Sequence, residues 1–182
     1  MEAVELIRTR RSVRKFKDEP VDRETMREIV EIARWAPSWA NTQIARYTLV
    51  DRPEMIKQIA AEGVKGFSYN MHTLENAKGV CVLSHVTGKS GRLDPEKFDM
   101  EFANPEAWES FDAGIACQTF CLAAHAKGVG TCIFGVIDKE TIPKLLNLPE
   151  NETVSALIVY GWPDESPKPT PRMDAEKILR FI

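Results

Sequence analysis

The chain has no apolar run long enough to cross a bilayer, no glycine-rich nucleotide fingerprint, no internal repeat and no Cys-x-x-Cys pair. Each absence removes a class of function. A spanning helix needs about 20 consecutive apolar residues, so no membrane partner is expected. Histidine is scarce, with 3 in 182 residues, and the 4 cysteines (Cys81, Cys117, Cys121 and Cys132) all stand in apolar surroundings. Cys117 and Cys121 lie four apart on a predicted helix, but zinc-site spacing is missing. They read as buried free thiols in a reducing, cytoplasmic setting, and no metal is expected. A net charge of −3 gives no overall field to draw nucleic acid. The N-terminus opens directly into a charged helical pattern, so no signal peptide is expected.

What remains is ordinary globular material: 182 residues, 43% hydrophobic and 28% charged, enough for one domain over 1–182 with a real core. Apolar spacing predicts a helix over 2–9 with Val4, Leu6 and Ile7 inward. A second helix starts at an Asp22 cap and buries Met26, Ile29, Val30 and Ala33. "YTLV" (47–50) reads as a strand, and Asp51 with Glu54 as a capping box opening a helix to about Glu62. A helix over about 66–76 leads into "GVCVLSH" (79–85), a fully apolar strand. Asn104 and Pro105 start the longest helix, which Gly128 stops, with Trp108, Phe111, Ile115, Leu122 and Ala126 marking its inner face. "GTCIFG" and "VSALIVYGW" complete the strands, and Asp138 caps a helix to Leu146. Mostly helices with three or four scattered strands predict an α+β layered domain.

Two stretches are dense in polar chemistry. "RTRRSVRKFK" (8–17) holds six basic residues in ten positions. It fits a solvated helix end, where cations suit the dipole. It also fits a nucleic-acid patch, which the acidic whole disfavours, or a site for a small phosphorylated ligand, since Arg forks grip phosphate oxygens. The second stretch, "WAPSWANTQ" (35–43), spends Ser38, Asn41, Thr42 and Gln43 in a loop without glycine. Between 86 and 104 the pattern lapses into a polar excursion that carries Phe98 and Phe102. Such long loops within compact domains are usually functional or disordered.

"RRSVRKF", a helix, and "APSWANTQ" about twenty-five residues later resemble the FMN-dependent nitroreductase family. "YNMHTLENAKGVCVLSH", "FDAGIACQTFCLAAHAKGVGTCIFG" and "IVYGWPDESPKPTPR" are similar to further segments of that family, in the same order. The likeness covers nearly the whole chain except 86–104. It implies a three-layer α/β/α domain with a small, mainly antiparallel central sheet, in an intertwined homodimer. The region 86–108 would be a variable wall over the flavin, and 163–182 a C-terminal arm.

The resemblance also implies roles. Arg10, Arg11 and Ser12 match contacts to the FMN phosphate and ribityl chain, and Arg172 the C-terminal arginine that closes on the phosphate. Arg14 matches the cation near the flavin's N1–O2 edge, where positive charge favours the negative charge that reduction places there. Pro37, Ser38, Trp39, Asn41 and Gln43 would come from the partner subunit; Asn and Gln amides match an edge that alternates acceptors and donors. Asn70 matches an asparagine that bonds the ring, and Phe134 and Gly135 a strand end lying against it. Phe98, Phe102 and Trp39 are the candidate acceptor contacts, while Trp108 reads as an anchor to the core. Thr73 stands where some members carry lysine, and Ile44–Ala45 replaces a frequent Pro-Trp. The chain carries no N-terminal cysteine-rich extension, so the ferredoxin-fused branch is not expected.

The implied activity is reduction of nitro, quinone or similar electrophilic acceptors by NAD(P)H, in a ping-pong cycle over one flavin. His72, His85 and His125 read as structural or surface groups. Rival readings are a specialised relative, such as a reductive dehalogenase, and an FMN-binding storage or sensor protein with little turnover.

Overall fold

Among the described residues four strands organise the fold: β1 (Ala45–Val50), β2 (Gly79–Val86), β3 (Gly130–Phe134) and β4 (Glu152–Gly161). They pair in the order β1-β2-β4-β3, each neighbour antiparallel. Among the described residues seven α-helices accompany them: α1 (Ala3–Thr9), α2 (Arg23–Ala33), α3 (Pro53–Gln58), α4 (Ser68–Glu75), α5 (Pro105–Ala126), α6 (Thr141–Leu146) and α7 (Ala175–Ile178). The structure is a computed structural model that describes residues 2–64, 66, 68–92, 96 and 104–182.

The side-chain alternation of the strands divides the core in two. Val80, Val82, Leu157 and Val159 face one layer, where Ile56, Leu74 and Ile142 bring α3, α4 and α6 against the sheet. Cys81, Leu83, Ile158 and Tyr160 face the other, where Met26 and Ile29 of α2 meet Phe120 and Cys121 of α5. With both faces covered, β2 is buried along its whole length, which is why its sequence is apolar without alternation. Helices thus cover both faces of a small antiparallel sheet, the α+β, three-layer arrangement expected. All four cysteines are buried and unpaired.

Helix starts follow local chemistry. Asp22 caps α2 by accepting the Thr25 amide at 2.8 Å. Asp138 accepts the amides of Glu140 and Thr141 ahead of α6. The capping box expected from Asp51 and Glu54 does not form. Arg52 takes the cap position without a side-chain bond. Asp51 instead receives both arms of Arg23, at 2.6 and 3.1 Å, because a bidentate guanidinium outcompetes a single amide.

Two expected faces are turned outward. In α1 no residue is buried, and Val4 and Ile7 are 61% and 59% exposed. On α5 the inner stripe is Asp112, Ala113, Ala116, Cys117, Phe120, Cys121 and Ala124. Phe111 is 60% exposed, Ala126 is exposed, and Trp108, Ile115 and Leu122 are only partly buried. A helix apolar nearly all round has no preferred direction on apolarity alone. The alanines and cysteines of the inner face let α5 lie close on the sheet, and Phe120 is the large ring that turns inward with them. Trp108 meets Phe111 edge-on at 5.6 Å.

Backbone approach places the N-terminal segment. Residues 12–17 cross the end of the sheet, with Ser12 bridging Thr131 and Phe16 bridging Pro163. The amides of Val13 and Lys17 donate to Thr131 O (2.9 Å) and Trp162 O (2.8 Å). The crossing runs over the paired glycines Gly130 and Gly161. A Cβ on Gly130 would lie 2.9 Å from Val13, and one on Gly161 2.8 Å from the Phe16 ring. Only glycine leaves room for this segment.

Candidate functional site

The crossing segment carries its basic residues to the β3 edge of the sheet. There Arg10, Arg11, Ser12 and Arg14 line one cavity of about 400 Å³ together with Arg172 from the C-terminal run. A ladder brings that run across: the Asp164 amide donates to Lys15 O at 3.0 Å, and Glu165 Oε1 accepts the amides of Arg14 (2.6 Å) and Lys15 (3.1 Å). Sequence reasoning found five of the lining residues but not Arg8 and Lys168, which add two more cations. Nor did it find the Glu165 strap, for which one acid among several in a Pro-rich run gave no signal.

Three cations of this cavity are held by neutral groups. Arg11 donates to the carbonyls of Arg8 and Arg10, Arg14 to that of Ser12, and Arg172 to Thr170 and Pro171. Among the described residues none of Arg10, Arg11, Arg14 and Arg172 pairs with a carboxylate. Arg10 Nε is buried with no hydrogen-bond partner. A buried donor left unmade costs about 1–3 kcal/mol, so its position asks for an acceptor. The surplus charge is felt nearby: burial first, then the charges of Arg10 and Arg11, pull the His125 imidazole below its usual value. A phosphate dianion fits this donor set in charge and in hydrogen-bonding chemistry.

Arg14 also lies over the Tyr69 ring, 6.0 Å from its centroid, which sets α4 and its half-buried Asn70 beside the cavity's Arg14. At the end of β3 the Phe134 side chain turns into the core, 2% exposed, so only backbone is left there to meet a ligand. The strand alternation required this, since Cys132 and Phe134 share the inner face. Gly135 follows in the open, with nothing within 4 Å of the place a Cβ would take.

The second polar stretch lies elsewhere. Residues 39–41 form a single 3-10 turn just before β1, and Ala40, Asn41 and Gln43 all hold positive φ, at 45°, 54° and 50°. Three non-glycine residues in the left-handed region mark a strained loop held by its surroundings. Ser38 Oγ accepts the Gln43 amide at 2.9 Å, closing the loop, and Asp112 accepts the Trp39 amide. The loop backbone is thus tied down. The side-chain amides of Asn41 and Gln43 are exposed and have no partner among the described residues. Pro37 and Ser38 line a smaller cavity of about 200 Å³ with Tyr47 and Asp112. Phe98 and Phe102 lie outside the described residues.

The two clusters occupy diagonal corners of the sheet. The loop joins β1 at Ala45, which pairs through His85 to Thr153 at the start of β4. The basic cavity joins β3 at Thr131, which pairs with Tyr160 at the end of β4. Seven residues along a strand span about 23 Å, and three strand spacings about 14 Å. Within one chain the loop does not reach the cavity.

A sequence model described as "Nitroreductase family" matches residues 7–162. The chain belongs to the nitroreductase family. Its fold superposes on a nitroreductase family protein from Streptococcus pneumoniae with a TM-score of 0.86 at 21% identity, covering 100% of both chains. A protein from Desulfovibrio desulfuricans solved in complex with FMN is 30% identical, with a TM-score of 0.77 over 98% of this chain and 96% of that one. The NADPH-flavin oxidoreductase of Vibrio harveyi is 26% identical over 178 residues, 97% of this chain and 72% of the relative. As a member of this family the protein is an oxidoreductase. Among its described residues no helix is long and apolar enough to cross a membrane.

Proposed function

We propose that the protein is an FMN-dependent reductase that takes electrons from NAD(P)H and delivers them to nitro, quinone or similar electrophilic acceptors in a ping-pong cycle. The observation that carries this is the gathering of Arg10, Arg11, Ser12, Arg14 and Arg172 around one cavity that holds a buried, unpartnered Arg10 Nε. FMN, when bound, supplies the hydride chemistry. Arg10, Arg11, Ser12 and Arg172 hold its phosphate and ribityl chain. Arg14 keeps positive charge on the ring side of the cavity, and Asn70 with the Phe134–Gly135 backbone lies against the ring.

The rest of the cradle comes from a second copy. In a homodimer the loop of one chain, with Pro37, Ser38, Trp39, Asn41 and Gln43, completes the cavity of the other. Three features support this arrangement: the diagonal separation of the corners, the unpartnered Asn41 and Gln43 amides, and the outward apolar faces of α1 and α5. The C-terminal arm fits the same picture. Residues 171–182 are exposed throughout, including Ile178, Leu179 and Phe181. Beside the open edge of β1 runs a groove lined by Val21, Met26, Val30 and Leu49 that suits apolar side chains from "ILRFI" of the partner. In this reading 1–182 is one FMN-binding domain, 86–108 the variable wall and 163–182 the arm. Trp39, Phe98 and Phe102 meet the acceptor.

An absorption spectrum of the purified protein, before and after anaerobic NAD(P)H, tests the proposal. A bound flavin that bleaches rapidly supports the reductase. Slow bleaching favours a storage or sensing protein, and failure to bind added FMN ends the flavin reading. Riboflavin binding as tightly as FMN would remove the phosphate assignment.

A further inference from the structure

Asp112 heads the apolar stretch "DAGIACQTF" of α5, and it is 3% exposed. A buried carboxylate is stable only where donors replace the water it has lost. Its donors come from two segments far apart in sequence. The Trp39 amide spans both oxygens, at 3.0 Å from Oδ1 and 3.1 Å from Oδ2. The Ser90 hydroxyl, itself wholly buried, donates to Oδ2 at 2.5 Å. Ser90 Oγ lies 2.7 Å from Thr42 Oγ1, which returns the network to the loop. One carboxylate thus holds the start of the 39–41 turn, the end of that loop through Ser90, and the first residues of the excursion after β2.

A second buried acid, Glu109, sits one turn earlier on α5 and holds the start of the excursion and the end of β2, not the loop. Its Oε1 accepts the Gly88 amide at 2.5 Å, while Oε2 faces His85 Nε2 at 3.6 Å. The excursion is therefore pinned twice, and only the Asp112 pin is shared with the loop. The loop needs such a pin. Its three left-handed residues carry strain of about 1 kcal/mol or more apiece, so free chain would relax away from this shape.

We infer that Asp112 is a positioning residue: it holds the strained 38–43 loop in the shape that presents Asn41 and Gln43 to the partner's flavin, and through Ser90 it locks that loop to the wall that faces the acceptor. This rests on the FMN reading for its consequence but not for its geometry. Contacts made at the wall then reach the loop through Ser90, which meets both Asp112 and Thr42. The carboxylate touches neither flavin nor acceptor; it acts through the Trp39 amide and the Ser90 hydroxyl.

The experiment compares Asp112→Ala, Asp112→Asn and Ser90→Ala in the full-length dimer. Amide hydrogen exchange at Trp39 reports the pin without any flavin. Protection is expected to collapse in Asp112→Ala and to survive in Asp112→Asn, whose Oδ1 still accepts that amide. Fluorescence titration with FMN should then show an affinity loss of about tenfold or more for Asp112→Ala, largely restored in Asp112→Asn. The midpoint potential of the bound FMN should move in Asp112→Ala. Ser90→Ala keeps the Trp39 pin, so FMN affinity should stay within about twofold while KM for a quinone acceptor rises. Unchanged Trp39 exchange, FMN affinity and potential in Asp112→Ala, with only a lower Tm, would overturn the inference. Should Asp112→Ala not fold, Ser90→Ala decides: unchanged acceptor KM overturns the link to the wall. A wild-type protein that binds no FMN while Trp39 exchange still follows Asp112 would defeat the flavin reading and leave the pin standing.

Discussion

The two corners of the sheet are built on opposite principles. At the β3 corner the backbone is relaxed and the side chains are not: a glycine pair admits the N-terminal segment, while six cations crowd a cavity with no carboxylate among its lining residues. At the β1 corner the backbone carries the strain, with three left-handed residues pinned by Asp112 and Ser38, and the exposed side chains are neutral amides. Charge attracts any anion of suitable size, so the first corner supplies affinity. Neutral donor–acceptor pairs in a fixed shape discriminate, so the second supplies recognition of an edge. A ligand with a phosphate at one end and an alternating polar edge at the other uses both, provided that two chains bring the corners together.

The largest effect should follow from keeping the corners apart. Phe111→Arg puts charge on the outer face of α5, where the ring is 60% exposed in one chain, so the fold of that chain is not threatened. Light scattering should report a monomer, and FMN binding should be lost with it. A monomer that retains FMN at full affinity would break the comparison at its root. Next comes a contrast between the corners in the intact dimer. Arg10→Ala removes a charge-assisted contact of about 1.5–3 kcal/mol, some 10- to 100-fold in FMN affinity. It should leave riboflavin binding nearly unchanged, whereas Gln43→Ala should weaken FMN and riboflavin by equal, smaller factors. If both substitutions change the FMN-to-riboflavin ratio alike, charge and edge recognition are not divided as proposed.

Sequence made one corner far more legible than the other. Arg10, Arg11, Ser12 and Arg14 lie within five positions, and that density of cations around a hydroxyl already suggested an anion. Only the family resemblance could add Arg172, since nothing local says that a distant Pro-rich run folds back along residues 14–17. The sheet was legible because β2, buried on both faces, needs an unbroken apolar run. The faces of α1 and α5 were not, because exposed apolar residues such as Phe111 and Ile7 look like core residues in the sequence. The strand end at Phe134–Gly135 came from the resemblance, and the period of β3 leaves only backbone there, since the Phe134 ring turns inward. Asp112 did leave a signal, an acid directly ahead of the apolar run Ala113–Cys117 of α5, where a carboxylate needs donors in place of water.

Backbone substitutions sharpen the contrast with smaller effects. Gly161→Ala at the cation corner would push a methyl to 2.8 Å from the Phe16 ring. Overpacking of this kind costs about 1–3 kcal/mol and should lower Tm while dislodging the segment that carries Arg10 to Arg14. Ala40→Gly at the loop corner, where φ is 45°, works the other way. It relieves about 1–2 kcal/mol of left-handed strain against about 0.5–1 kcal/mol of added chain entropy. Tm should therefore hold or rise slightly, while FMN binding weakens because the loop is freed. Thermal unfolding should therefore separate the two variants, while FMN titration should show weakened binding in both.

The smallest effect uses one histidine from each corner as a reporter. Burial is the main reason both imidazoles sit below their usual value, with Arg10 and Arg11 adding to it for His125 and Lys139 adding to it for His85. Both are thus neutral in the folded protein near pH 7. Because the unfolded chain takes up protons first as pH falls past about 6.5, stability should decline on acidification below that point. An asparagine at either position should flatten the slope. Inorganic phosphate separates the two. Bound in the basic cavity, a dianion offsets the charges of Arg10 and Arg11 and so removes a cause that depresses His125. NMR titration with millimolar phosphate should move the His125 pKa upward and leave His85, at the far corner beside Glu109 and Ser155, where it was. Equal movement of both would mean that the anion binds generally to the surface, and no movement of His125 would mean that the cavity does not hold phosphate.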